Sequence, residues 1–240
     1  MEELKEGYIV DYISGLQVRE TPEEVGAVQP FSKILVDDYG YPKANIHTRP
    51  QYRVKARPSD TKKEYPVDIA VFGNCNHTYE NEYIIVECKK RNRKDGRTQL
   101  ADYLRFSKAY LGVWFNGDER LYLHKIEQNG KISFEEILNI PRFGERVEDI
   151  GQFKRKDLCP AENLKPTFKS IRNYLAANAV GITRDEVFAS QIINLIFCKI
   201  YDERFTKPED MVRFRAGINE KEEDIKSRLM DIFEKVKLMT

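Results

Sequence analysis

This sequence is short of several things that would each narrow its function. Only four cysteines occur in 240 residues, Cys75, Cys88, Cys159 and Cys198, and no two stand in Cys-x-x-Cys spacing. That argues against a zinc ribbon or a disulfide framework and points to a reducing cytoplasm. The start, MEELKEGYIVDYISG, lacks the basic opening and apolar core of a signal peptide. No run approaches the roughly 18 apolar residues of a membrane span, so no membrane is expected. The three histidines, His47, His77 and His124, have no ligand spacing, which leaves them surface or packing roles. A Gly-x-x-x-x-Gly-Lys-Ser/Thr loop is missing, so any nucleotide-driven motor lies elsewhere. Repeats and low-complexity tracts are missing too.

Charge of one sign is also lacking. Lys and Arg number 40 against 39 Asp and Glu, a net charge of +1, so any nucleic-acid contact has to come from a local patch. The segment KKRNRKDGR, Lys89 to Arg97, is the candidate, with six cations against one Asp; taken alone it could equally be a solvated loop.

What is present reads as α/β. TPEEVGAVQPFSKILVDDYGYPK has Thr21 as N-cap, Pro22 at the first helical position, apolar residues at Val25, Val28, Phe31, Ile34 and Leu35, and a stop at Gly40 and Pro42. Ile46 to Ala56 alternates, but Pro50 reduces it to an edge strand or two short pieces. YPVDIAVF (65–72) and EYIIVECK (82–89) predict a hairpin of central strands. RTQLADYLRFSKAYL predicts a helix with Leu100, Tyr103, Leu104, Ser107 and Leu111 on one face. GVWFNGDERLYLHKI predicts two strands around Asn116-Gly117. The order gives a mixed sheet flanked by helices. Residues 146–165 are polar and punctuated by Pro and Gly, a linker candidate between a domain over 1–145 and a helical connector or docking region over 166–240, with Thr183 and Asn219 as candidate N-caps.

The chemistry is concentrated at the end of EYIIVECKK. On a strand Glu87 and Lys89 share a face, their Cα atoms about 6.5–7 Å apart, while Cys88 points away with Ile84 and Val86. Apolar residues on both faces mark a central strand, where an unpaired ion costs several kcal/mol. Asp68 on the partner strand can converge on Glu87. Two carboxylates that close repel, and a hard divalent cation is one remedy; a lysine beside it can orient a water or take its proton. That layout suits phosphodiester hydrolysis. An isolated Glu-x-Lys more often closes a sheet as a buried ion pair, and the Asp-bearing strand upstream and basic loop downstream weigh against that here.

These residues resemble the PD-(D/E)xK nuclease superfamily, with Pro66 displaced by one residue from the strict Pro-Asp pair. TQLADYLRFSKA is similar to the Gln-x-x-x-Tyr motif of RecB-like nucleases and type I restriction R subunits, and TPEE…DDYGYPK to the opening helix of the R-subunit N-terminal domain. The resemblance spans about residues 20–125. It implies a restriction-endonuclease-like fold and a DNA endonuclease dependent on Mg²⁺, for which Mn²⁺ can substitute. Asp68 and Glu87 would be metal ligands, Cys88 would lend its backbone carbonyl, and Lys89 would orient the water. Gln99 and Tyr103, at i and i+4, would face DNA or the site's edge, although an ordinary amphipathic helix also explains them. Glu24, preferred to Glu23, would complete the acidic set. Expected partners are DNA and the methyltransferase, specificity or motor parts of a restriction-modification system. EVFASQIINLIFCKIYDERF resembles the helical segment that precedes the methyltransferase domain in modification subunits and single-chain enzymes, which implies a piece of a longer polypeptide. The competing expectation is a non-catalytic DNA-binding or subunit-docking module with the same fold.

Overall fold

A computed structural model describes residues 4–55, 64–158, 160, 164, 167–168, 171–173, 185–218 and 220–239. The chain divides into two compact units, Met1–Val147 and Glu148–Thr240.

The first unit is built on a six-stranded mixed sheet. Its strands are β3 (Ile46–His47), β6 (Ile69–Phe72), β7 (Glu82–Cys88), β8 (Leu111–Phe115), β9 (Arg120–Gln128) and β10 (Lys131–Ile137), hydrogen-bonded in the order β10-β9-β8-β7-β6-β3. Within it only β7 and β8 are parallel, and helix α2 (Arg97–Phe106) is the crossover such a pair needs. β6 is buried throughout and β7 nearly so, because side chains from both faces are covered. On one face Ala70, Phe72, Ile85 and Trp114 pack with Leu100 and Leu104 of α2. On the other, Phe31 of helix α1 (Gln29–Asp37) meets Phe115 with ring centroids 5.1 Å apart.

α1 is entered through a widened π-helical turn, Glu24–Val28, in which Gln29 N–H bonds Glu24 O. Pro30 has no N–H to offer a carbonyl one turn back, and the wider turn accommodates it. Thr21 caps this start, its hydroxyl accepting the Glu24 N–H at 3.1 Å.

Several elements differ from the sequence expectation. The predicted strand over 65–72 is two pieces, β5 (Glu64–Pro66) and β6, with Asp68 in the break between them. Pro50 does split its segment: β3 joins the main sheet, whereas β4 (Arg53–Lys55) pairs with β5 alone; Ala56 lies outside the described residues. α2 stops at Phe106, earlier than expected, and Leu111 belongs to β8. The buried Lys125 Nζ donates to the carbonyls of Leu104 and Ser107 at 3.0 and 2.7 Å, a cation at the helix's negative end. Two elements were not anticipated, the hairpin of β1 (Tyr8–Val10) with β2 (Gln17–Arg19), and β10.

In the second unit, helices α3 (Asp185–Phe205) and α4 (Glu222–Lys237) are described. The buried Asp202 carboxylate accepts the N–H groups of Arg213 and Phe214 at 2.6 and 2.8 Å, which fixes the chain returning from α3. Thr183 and Asn219 lie outside the described residues, and α4 has Lys221 at its N-cap position. No helix of the described residues is long and apolar enough to cross a membrane.

Candidate active site

The site lies at the C-terminal end of β7. The antiparallel register of β6 and β7 pairs Ile69 with Val86, and one further step sets Asp68 against Glu87. Asp68 is anchored by the backbone, its Oδ2 accepting the Cys88 N–H at 2.7 Å while Oδ1 takes a longer bond of 3.3 Å from Gln51 Nε2. Glu87 is 3 % exposed. The Lys89 ammonium folds back along its own strand to Glu87 Oε1 and to the Cys88 carbonyl oxygen, the latter at 3.2 Å. The strand alternation that brought Glu87 and Lys89 to one face therefore ends in a direct ion pair.

Electrostatics mark the two acids as strained. Burial pushes Asp68 up to about 6, against the opposing pull of the Cys88 N–H, and the charge of Glu23 raises it further. Burial, then the Asp68 charge, pushes Glu87 up to about 7 in spite of Lys89. For Lys89, burial alone would lower the pKa, but the bond to Glu87 and the acids around it raise it. Lys89 is therefore a protonated donor. The Cys88 thiol is buried in the core and pushed up, chiefly by burial, so only its backbone groups reach the site.

Gly96 closes the site from α2. It holds a left-handed φ of +93°, and a Cβ there would lie 2.8 Å from Lys89 Cε and 3.4 Å from Glu87 Cγ. Trp114 Nε1 donates to Asp95 O at 2.8 Å and pins the turn before it. On α2 itself Gln99 Nε2 hydrogen-bonds Tyr103 Oη, one turn on. Tyr103 is largely buried and packs on Tyr65, with ring centroids 5.9 Å apart. Asp68 and Glu87 both bear on its hydroxyl, after burial and Gln99, which places the Gln99–Tyr103 pair in the electrostatic reach of the two acids.

Glu24 does not take the place expected of it. Its Oε1 accepts Gln29 Nε2 at 2.7 Å and its Oε2 is paired with Arg49. The first-helix acid whose charge is felt at Asp68, Glu87 and Lys89 is Glu23. Among the described residues no three His, Cys, Asp or Glu side chains converge as a metal-holding group.

The basic loop is less free than its sequence implied. Arg91 forms a two-pronged bond with Asp118 at 2.7 and 2.6 Å. Arg93 pairs with Asp95, and Lys94 and Arg97 both pair with Glu119. Asp118 and Glu119 come from the β8–β9 turn, so these partners are a tertiary effect. His47 and His77, scattered in sequence, meet with Nδ1 atoms 3.0 Å apart beside Phe72. Sequence reasoning missed Arg49, Gln51 and Gly96.

The fold and this constellation define a restriction-endonuclease-like α/β domain, with a mixed sheet flanked by helices that carries two carboxylates and a lysine at one strand end. The sequence model of one family, described as the type I restriction enzyme R protein N terminus, matches residues 22–141. The chain belongs to that family and is a component of a restriction system. No curated protein matches it.

Proposed function

We propose that the first unit is a divalent-cation-dependent DNA endonuclease domain that hydrolyses phosphodiester bonds at Asp68, Glu87 and Lys89. The observation that carries this reading is the Lys89 ammonium lodged on Glu87 Oε1 and Cys88 O. These are two of the oxygens a cation would take, with a second carboxylate alongside. Two carboxylates and a carbonyl are a hard-oxygen donor set that suits Mg²⁺ or Mn²⁺. Asp68, Glu87 and the Cys88 carbonyl would hold the ion, which when bound supplies Lewis-acid polarisation of the phosphate and neutralises charge building on it.

The chain's own residues do the rest. Asp68 is pre-set by the Cys88 N–H and reaches the site without rearranging the backbone. Lys89 is a donor, so orienting the attacking water is the role its protonation supports. Gln99 and Tyr103 form a polar edge where DNA would pass. Arg91, Arg93, Lys94 and Arg97 can exchange their exposed acidic partners for phosphates, since such surface pairs are each worth at most about 1 kcal/mol. The methyltransferase, specificity or motor parts of a restriction-modification system are its expected partners. A non-catalytic docking module would leave two buried acids with raised pKa values to no purpose.

The test is cleavage of a labelled duplex in Mg²⁺ by wild type and Lys89→Ala. The variant should lose about 10²-fold or more in rate while keeping the rise in melting temperature that Mn²⁺ produces. Equal rates would remove Lys89 from the site.

A further inference from the structure

Arg49 leaves β3 two residues past the His47–Ala70 pair and comes close enough for its charge to act on Asp68. Its side chain is 16 % exposed, which is low for a guanidinium with no catalytic assignment. Among the described residues, two of its five N–H groups are spent, one on Glu24 Oε2 and one on Thr48 O at 2.8 Å.

The surroundings hold that guanidinium rather than merely neutralise it. Glu24 is itself fixed, because its other oxygen accepts Gln29 Nε2 at 2.7 Å, and the same nitrogen donates to Asp11 Oδ1 at 2.8 Å. Asp11 is 1 % exposed and is tied by Thr48 Oγ1 at 2.5 Å and by the backbone N–H and hydroxyl of Ser14 at 2.8 and 2.7 Å. A buried chain thus runs Asp11, Gln29, Glu24, Arg49, from the N-terminal hairpin to the acids. Its length exceeds what one ion pair needs, and it orders the π-helical turn at the same time. A connected polar network of this kind rigidifies what it holds.

We propose that Arg49 contacts a non-bridging oxygen of a DNA phosphate at this site, and that Glu24 is the positioning residue that presents it rather than a cation ligand. The inference rests on the nuclease reading for the location of the phosphate. Its chemistry is independent of cleavage: a guanidinium with spare N–H groups beside a cation-binding acid pair is suited to a phosphate oxygen. It also explains why both Glu24 oxygens are engaged by Gln29 and Arg49.

The experiment measures binding of a labelled duplex to the full chain by fluorescence anisotropy in Ca²⁺, between about 50 and 200 mM salt. Losing one phosphate contact should flatten the slope of log affinity against log salt by about 0.9. Arg49→Gln should therefore bind at least about tenfold more weakly at low salt, and its further loss across that range should be about threefold smaller than wild type's. Glu24→Gln should weaken binding yet keep the wild-type slope, because the guanidinium remains. Should Arg49→Gln fail to fold, the doubly neutral Glu24→Gln/Arg49→Gln chain, which leaves no unpaired charge, is measured by the same criterion. Wild-type affinity and slope in whichever of these two Arg49→Gln chains folds, or no DNA binding by wild type, would overturn the proposal. The nuclease reading fails separately. A flattened slope in a protein that never cleaves leaves Arg49 as a DNA contact, whereas cleavage lost in Asp68→Asn with no slope change for Arg49→Gln removes Arg49 alone.

Discussion

Replacing Glu87 by glutamine should stabilise the metal-free protein. Gln is the size of Glu and imitates its protonated form, and in the folded chain Glu87 is held up at about 7 from an ordinary 4.5, first by burial and then by Asp68. The folded state thus binds this proton more tightly than the unfolded chain does. Below pH 4.5 both states are protonated and the group contributes nothing. As pH rises from 4.5 to about 7 the unfolded chain ionises first, folding loses stability, and above about 7 the full cost persists. A shift of this size corresponds to about 3 kcal/mol at 1.36 kcal/mol per pKa unit. Chemical denaturation at pH 8 with a chelator should show Glu87→Gln more stable by up to that amount, and the advantage should vanish near pH 4.5. Saturating Mn²⁺ should remove most of that advantage, since about a hundredfold excess over Kd adds about 2.7 kcal/mol to the form that binds it. A Glu87→Gln protein less stable than wild type at pH 8 without metal would show that the Glu87–Lys89 pair is a structural salt bridge, and the reasoning from repelling acids would fail.

The same electrostatics make metal binding pH-dependent: Mn²⁺ affinity, measured calorimetrically, should rise between pH 5 and 8 as Asp68 and Glu87 deprotonate through about 6 and 7, and a flat profile would place the ion elsewhere. Gly96→Ala should cost about 1–2 kcal/mol in denaturant, because φ is +93° and the new methyl meets Lys89, and it should lower cleavage more than Ala substitutions elsewhere on α2. Tyr103→Phe loses the bond to Gln99. It should stay within about 1.5 kcal/mol of wild type while cleavage falls, and unchanged cleavage would return the pair to a packing role. A chain ending at Val147 should keep a single cooperative unfolding transition, since the first unit carries its own core; loss of that transition would show a shared core.

Much of this architecture was legible because period-2 alternation and turn chemistry act locally. EYIIVECKK announces a two-faced buried strand, and the alternation that sets Glu87 beside Lys89 needs no tertiary knowledge. Asn116-Gly117 marked one hairpin. The same signal at Asn129-Gly130, where both φ angles are positive, could have revealed β10. Other features depend on distant residues. Nothing near Lys89–Arg97 shows that Asp118 and Glu119 will pair with that loop. Arg49 sits in a stretch whose alternation Pro50 interrupts, and only the fold brings it to Glu24. That Glu24 is taken up by Gln29 and Arg49, while the charge of Glu23 acts on Asp68 and Glu87, depends on contacts that a helical wheel does not contain.

The central claim is tested most directly by incubating supercoiled plasmid with wild type and with Asp68→Asn, each in Mg²⁺ and in chelator. The account predicts nicked and linear products from wild type in Mg²⁺ and from none of the other three reactions. Equal nicking by Asp68→Asn, or nicking by wild type in chelator, would contradict it.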